Sequence, residues 1–385
     1  MAASPSHSIP AVEAPVGRIP ALDGIRGLAI CLVLWWHFAI SPLRANLQNL
    51  QDHPWLLRVA ELGRFTWSGV DLFFVLSGFL IGGILLDASR SPSYFSTFYI
   101  RRAYRILPLY AVIILSTLVL VAIYGHLGWA TYAIELFYYV LFLQNFRMAA
   151  TQSFGPLGLG ATWSLAIEEQ FYLTLPILVR QVSRSVLWRL LLSAVLAAPL
   201  LRILLTKFLK MHWIAAYVLM PCRADALCLG VLIAMAIRNP SVWGAIVARR
   251  KYLYAALALA SGVGVWMLIG HFEPFTMELL GLEYSLLTVI YSLLLTSTLV
   301  SAQLSSLFSF SLLRFMGTIA YGLYLFQSLV SFALERVLLH FGRTADIVVT
   351  FQISVLTVLA CMGLAATSWK YFERPLIERG HRYRY

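Results

Sequence analysis

The chain predicts an all-α polytopic membrane protein of about ten transmembrane helices, with both termini in the cytoplasm. Three observations predict it: a composition too poor in charge for a water-facing surface, repeated apolar runs of spanning length, and an uneven distribution of Lys and Arg between them. Of 385 residues, 60% are hydrophobic and only 12% charged, whereas soluble domains average about 45–50% apolar and roughly 25% charged. A cytosolic enzyme, a secreted disulfide scaffold and a disordered chain are excluded on that ground. The formal net charge of +12 does not point to nucleic acid, because a phosphate-binding face needs a soluble, charged surface. It points to membrane topology.

A spanning helix needs about 20 predominantly apolar residues. That window selects 23–42, 67–87, 105–125, 161–180, 187–206, 213–237, 252–271, 283–301, 312–334 and 347–369. An eleventh run, 132–146, is shorter and carries Glu135. If it does not cross, 19 of the 29 Lys and Arg residues fall on the cytoplasmic side and 8 outside, as the positive-inside rule requires. The acidic loop 272–283, without Lys or Arg, then falls outside. Run 132–146 is therefore expected to be re-entrant or to lie at the outer interface. Residues 1–20 read as a flexible tail, 21–372 as one transmembrane domain and 373–385 as a basic cytoplasmic tail. No cleavage site follows the first apolar run, so it is expected to stay as a span in a plasma (inner) membrane protein. The four cysteines, Cys31, Cys222, Cys228 and Cys361, form no Cys-x-x-Cys pair and read as small apolar side chains, so no metal site is expected.

Ionisable residues inside spans are costly and mark function by default. Arg26 and His37 are 11 residues apart, three helical turns plus about 20°, so an unbroken helix sets both on one face about 16 Å apart. Asp71 lies about 8 Å below the outer end of the second span, Glu168 and Glu169 about 10–12 Å below that of the fourth, and His37 about 6–8 Å below that of the first. These four are the candidate catalytic set. Two other readings stand beside it: a structural hydrogen-bond network, and for His37 an interfacial position beside Trp35, Trp36 and Phe38.

Arg101, Arg102 and Arg105 cluster at helical spacing on the cytoplasmic side. Guanidinium forks there suit phosphate groups, and an anchor on anionic lipid is the other reading. Arg223 and Asp225, two apart, cannot face each other on a helix, so each is expected to have a partner on another span. Ser77-Gly78-Phe79 and Gly82-Gly83 allow close helix approach. No Walker loop, His-Glu-x-x-His or Gly-x-Ser-x-Gly is present, which leaves no signal for an ATPase, zincin or serine hydrolase.

Taken in order along the chain, these residues resemble the acyltransferase 3 family of integral-membrane acyltransferases. The resemblance rests on Leu22-Asp23-Gly24-Ile25-Arg26-Gly27 with the Arg26-x10-His37 spacing, Gly69-Val70-Asp71-Leu72-Phe73-Phe74 through Ser77-Gly78-Phe79-Leu80, and Arg101-Arg102-Ala103-Tyr104-Arg105. It continues through Trp163-Ser164-Leu165 with Glu168-Glu169-Gln170-Phe171-Tyr172, Arg223-Ala224-Asp225 and Tyr371-Phe372-Glu373-Arg374-Pro375-Leu376. It implies transfer of an acyl group, acetyl first among them, from acyl-CoA as co-substrate to a hydroxyl of a saccharide or glycolipid acceptor at the outer side, with no permanently bound cofactor. Many relatives carry a histidine where this chain has Gln327, so no role is carried over to that position. Some carry an esterase-like domain after the last span; here 16 residues follow it, and a fused second transfer step is not expected.

On this reading Arg26, Arg101, Arg102, Arg105 and Arg223 bind the donor. His37 is the general base on the acceptor hydroxyl, its reference pKa being near neutral, and Glu169 or Glu168 orients the imidazole or binds the sugar. An acyl-His37 intermediate is a variant of the same scheme. A rival of another class is a proton-coupled transporter using His37, Asp71, Glu168 and Glu169 as a relay. Repeats and paired broken helices would favour it, and neither is evident. A lipid-binding scaffold explains the arginines but not the buried carboxylates.

Overall fold

In a bilayer a helix alone satisfies its backbone N–H and C=O groups within one segment, and the described residues contain helices and no strand. The structure is a computed structural model describing residues 19–45, 53–124, 129–156, 158–269, 280–340 and 347–385. Residues 1–18 of the expected N-terminal tail, the loop residues Glu273 and Glu278, and Arg343 lie outside the described residues. Its main helices are α1 (Pro20–Trp35), α2 (Pro54–Leu62), α3 (Gly69–Ala88), α4 (Tyr94–Tyr124), α5 (Trp129–Val140), α6 (Gln144–Thr151), α7 (Trp163–Gln181) and α8 (Arg184–Ile203). They are followed by α9 (Ala224–Ile237), α10 (Arg250–Ile269), α11 (Leu280–Val300), α12 (Ser311–Thr318), α13 (Ala320–His340), α14 (Ile347–Ser368) and α15 (Arg374–Gly380).

Among the described residues, eight helical segments are long and apolar enough to cross a membrane, and nine if α12 and the start of α13, bent by 65°, cross as one. The chain is an all-α, multi-pass membrane protein. The expected tenth span is α7, whose 19 residues carry Glu168, Glu169 and Arg180. Those three charges keep it out of the count. Run 132–146 forms no span either: α5 ends at Val140, Phe142 takes a positive φ of 54°, and α6 starts at Gln144. Twelve residues of α5 reach only about 18 Å.

Burial separates centre from rim. In the segment containing α3, 78% of the apolar window is buried, against 6% in α10. Helix α3 is thus the central post, while α10 presents its side chains to lipid. Small residues let the post be approached closely. A Cβ on Gly78 would lie 1.9 Å from the Leu227 carbonyl oxygen, and one on Gly230 would lie 2.1 Å from that of Val75. Helices α3 and α9 therefore meet backbone to backbone. Helix α1 meets α12 the same way, with Gly27 on the Leu313 carbonyl and Gly317 on that of Asp23.

A layer of ion pairs threads this centre. Arg223 pairs with Asp71 across α3 and the start of α9, each side chain 1% exposed. Arg202 on α8 pairs with Asp225 on α9 at 2.8 Å. The expectation that Arg223 and Asp225 each have a partner on another span holds. Both guanidiniums also sit over the Tyr284 ring, at 4.3 and 5.5 Å, so each cation is covered by an aromatic face as well as a carboxylate.

After α14 the chain passes through a π-helical turn, Trp369–Glu373, into α15. Residues 381–385 then lie along the first turns of α4. The Arg384 carbonyl accepts from the Ser93 and Thr97 hydroxyls at 2.9 and 3.0 Å.

Candidate functional site

Helices α1, α3, α4, α7 and α13, with the segment after α14, enclose a cavity of about 530 Å³. Helix α1 contributes Asp23 and Arg26, α4 contributes Arg102 and Arg105, and α7 contributes Ser164, Glu168 and Tyr172. Phe73, Phe74, Leu76, Leu80 and Ile81 of α3 make an apolar flank, and Ser77 supplies its one hydroxyl. Tyr321 and Tyr324 of α13, with Trp369, Ile377 and His381, close the remaining side.

Three guanidiniums and two carboxyls thus face one space. The Arg26 Nη1 donates to Asp23 Oδ1 at 3.0 Å, an i,i+3 contact within α1. Arg102 lies over the rings of Tyr172 and Phe98 at 5.8 and 5.9 Å, and its Nε is buried without a hydrogen-bond partner among the described residues. Hydroxyls form the rest of the polar lining. Ser77 and Tyr172 share a 2.6 Å hydrogen bond linking α3 to α7 beside Glu168. Tyr324 donates to the Ala161 carbonyl at 2.7 Å and stands 2.6 Å from the Ser164 hydroxyl. A cationic end, an apolar flank and a hydroxyl-lined wall suit an elongated ligand with an anionic head and a less polar body.

The residues singled out from sequence separate into groups. Arg26, Arg102, Arg105 and Glu168 line the cavity. Arg101 does not. Its Nε and Nη2 donate to the Tyr383 carbonyl at 2.9 and 2.6 Å, and its guanidinium covers the Tyr385 ring at 5.0 Å. It reaches only a side cavity of about 60 Å³, shared with Ile84, Arg102, Arg105, Ile377, His381 and Tyr385. Glu169 is outside the lining, with a buried Oε1 that has no hydrogen-bond partner among the described residues.

Asp71 and Arg223 stand apart from the cavity. Neither lines the cavity; they are paired with each other in the interior. In that position the pair links α3 to the start of α9, which fits the structural hydrogen-bond network that stood beside the catalytic reading. His37 also lies outside the lining. Helix α1 gives way at Trp36 to a π-helical turn, Trp36–Ile40, which carries the exposed His37 side chain and packs against α14 and α2. Single π turns of this kind occur frequently at functional sites. The level shared by His37, Asp71 and Glu168 is therefore not one constellation: Glu168 faces the arginines, Asp71 faces Arg223, and His37 stands on a separate turn.

Sequence reasoning missed Tyr324, Tyr321 and His381, and gave Ser77 and Tyr172 no chemical role. Ser77 and Tyr172 stood inside quoted motifs, so their polarity in apolar helices was the available signal. His381 carried none, because only the fold-back of the chain brings it to the cavity.

Comparison with known proteins bears on what this cavity serves. Residues 19–366 match the acyltransferase 3 family, described as an acyltransferase domain. The chain is 28% identical over 394 aligned residues to the peptidoglycan O-acetyltransferase OatA of Listeria monocytogenes, covering 94% of this chain and 56% of that protein. It is 36% identical over 166 residues to YrhL of Bacillus subtilis, provisionally named a peptidoglycan O-acetyltransferase, covering 41% of this chain and 23% of that one. A protein of Staphylococcus aureus, provisionally named an O-acetyltransferase, is 30% identical over 172 residues, covering 42% and 24% respectively. The chain thus spans about half the length, or less, of these relatives. No solved structure matches it. A family match running over residues 19–366, nearly the whole chain, in a bundle of membrane-spanning helices places this protein in the acyltransferase 3 family of membrane acyltransferases.

Proposed function

We propose that the chain transfers an acetyl group from acetyl-CoA to a hydroxyl of an envelope saccharide, in the plasma (inner) membrane. The single observation that carries this is the cavity's excess of cation at one end: Arg26, Arg102 and Arg105 against Asp23 and Glu168. A donor with phosphates at its head and a thioester at the end of a flexible arm fits that gradient from guanidinium to apolar wall. In this reading the cationic end and both termini face the cytoplasm, which the uneven division of Lys and Arg among the loops supports. The acceptor then approaches from the other side. The names of the relatives, peptidoglycan O-acetyltransferase among them, support acetyl and a saccharide.

In the proposed step His37 removes the proton of the acceptor hydroxyl, whose oxygen forms a new bond to the thioester carbonyl. The carbon–sulfur bond breaks, the acetyl group leaves as an ester of the saccharide, and the thiolate collects a proton. Along α1, His37 is about 16 Å from Arg26, a distance that the donor's arm has to bridge for its thioester to meet the π turn. Glu168, in the wall between, orients the thioester end or the sugar. The pairing of Asp71 with Arg223 weighs against the proton-relay alternative, which needs that carboxyl to exchange protons.

The test supplies radiolabelled acetyl-CoA and peptidoglycan fragments to the purified chain in lipid nanodiscs and counts alkali-labile label on the saccharide. Wild type is expected to transfer. His37→Ala is expected to lose about 10²–10⁴-fold in rate, the usual contribution of a general base, with an unchanged melting profile. Near-normal transfer by His37→Ala sinks that assignment. A wild type inert toward acetyl-CoA but active with another acyl donor sinks the donor.

A further inference from the structure

Residues 381–385 do not hang free beside the arginine cluster. They are tied to α4 at four points: Arg101 on the Tyr383 carbonyl, Ser93 and Thr97 on the Arg384 carbonyl, and the Tyr383 ring stacked on Tyr104 at 6.5 Å. Gly380 makes the approach possible, since a Cβ there would meet the Tyr104 side chain at 3.0 Å. The result sets His381 in the wall of both cavities, next to Arg102 and Arg105. The side cavity, about 60 Å³, has room for about four to six water molecules at 10–15 Å³ each, so a small anionic group can enter it. No Asp or Glu side chain is among its lining residues. On the strap's own helix Glu378 is engaged with Arg374 at 2.8 Å.

We propose that residues 381–385 form the outer wall of the donor mouth, with His381 a ligand of a donor phosphate and Arg101 a positioning residue that holds the wall in place. This rests on the acyl-CoA reading above and divides the arginine cluster by task. Arg102 and Arg105 face the cavity and offer their N–H groups to the phosphates. Arg101 gives its Nε and Nη2 to the Tyr383 carbonyl and acts through residues 381–385. The imidazole has two nitrogens, and one N–H donated to a phosphate oxygen adds to the donors of the three guanidiniums in a lining completed by Ile84, Ile377 and Tyr385. Burial, and then the charges of Arg101, Arg105 and Arg102, lower the affinity of His381 for a second proton. A phosphate seated among these groups opposes that, so the ring takes up a proton as the donor binds. Across the main cavity the charged groups are Asp23, Arg26 and Glu168.

The experiment compares two donors, acetyl-CoA and acetyl-pantetheine, which carries the same thioester arm without phosphates. For His381→Ala in nanodiscs, KM for acetyl-CoA is expected to rise about ten- to a hundredfold, the worth of one hydrogen bond to a charged group. Its kcat is expected to stay within about twofold, as for loss of uniform binding, and its KM for acetyl-pantetheine to match wild type. Arg101→Gln is expected to reproduce that pattern, and the double variant to be no worse than either single one, because both remove the same wall. Tyr385→Ala serves as the second probe of the wall if His381→Ala fails to fold. Equal losses with both donors, or no loss with either, overturn the wall while leaving the acyl-CoA reading intact. Additive effects of the two substitutions overturn the positioning role of Arg101. If phosphatidate in the nanodisc competes with donor only when His381 is present, while the acetyl-CoA KM is unchanged by His381→Ala, the ligand is a lipid headgroup and the donor wall is overturned. A wild type inert with both donors overturns the donor reading and this proposal together.

Discussion

Two sets of charges lie inside this bundle, and they are built on opposite plans. Around α3, α8 and α9, Asp71 meets Arg223 and Asp225 meets Arg202, one carboxylate to each guanidinium, roofed by Tyr284. Around α1, α4 and α7, three guanidiniums outnumber two carboxyls in the lining of a cavity of about 530 Å³. The first set is neutralised where it stands, so it holds helices together. The second has a cation excess in its lining and room beside it, which is what the proposed anionic donor would need. An intramembrane charge is a functional signal only once its partner is known: pairing turns it into structure, and a cavity turns it into a site.

The largest expected effect breaks the paired set. Arg223→Ala leaves the Asp71 carboxylate buried and alone, at about 3–5 kcal/mol; thermal unfolding in detergent should show little folded protein. Asp71→Leu combined with Arg223→Met removes both charges, and because apolar replacements of a buried pair are often neutral or better, folding and transfer should return. Persistent inactivity of a well-folded double variant would put this pair in the chemistry after all. Next, Arg105→Gln in the cavity should raise donor KM by about ten- to a hundredfold while the melting temperature stays within the range of a surface substitution. A melting loss as large as that of Arg223→Ala would erase the distinction between the two regions.

A smaller effect probes the seams between helices. Gly27→Ala puts a Cβ against the Leu313 carbonyl and Gly78→Ala puts one against that of Leu227, each at 1.9 Å, and overpacking of this kind costs about 1–3 kcal/mol. Gly27→Ala moves the helix that carries Arg26, so it should also weaken donor binding, whereas Gly78→Ala should act mainly on stability. Steady-state kinetics beside melting curves separate the two. The smallest effect is a pH dependence. Burial and the arginine neighbours hold the His381 pKa down in the empty site, and bound phosphate raises it. The ratio of KM between His381→Ala and wild type should therefore be greatest at acid pH and shrink by a few-fold as pH rises and the imidazole loses its charge. Taking the ratio cancels the donor's own phosphate ionisation. A ratio that grows with pH would show that His381 does not bind as the cation.

Much of this was legible from residue order. Apolar runs of spanning length fix helices because nothing else satisfies the backbone in lipid, and the family motifs pointed to Arg26, Arg102, Arg105 and Glu168, which do share a cavity. The depth argument that grouped Asp71 and His37 with Glu168 used rise per residue alone. Depth sets the level of a side chain, but the azimuth of each helix about its axis sets what it faces. That azimuth follows from contacts such as Gly78 on Leu227 and Gly317 on Asp23, which hydropathy does not record. The π turn at Trp36–Ile40 is equally silent in an apolar pattern.

Composition and the placement of charge along the chain were enough to establish the solvent, the helical class and the identity of the scarce ionisable residues, because burial in lipid penalises each charge separately. Which of those charges are paired, which face a cavity, and that His381 reaches back to the arginine cluster were decided by packing, since each depends on residues far apart in the chain meeting in space. The short charge inventory of a ten-run membrane sequence names the candidates; only the rotation and fold-back of the helices tells Arg223, held by Asp71, from Arg105, which faces the cavity.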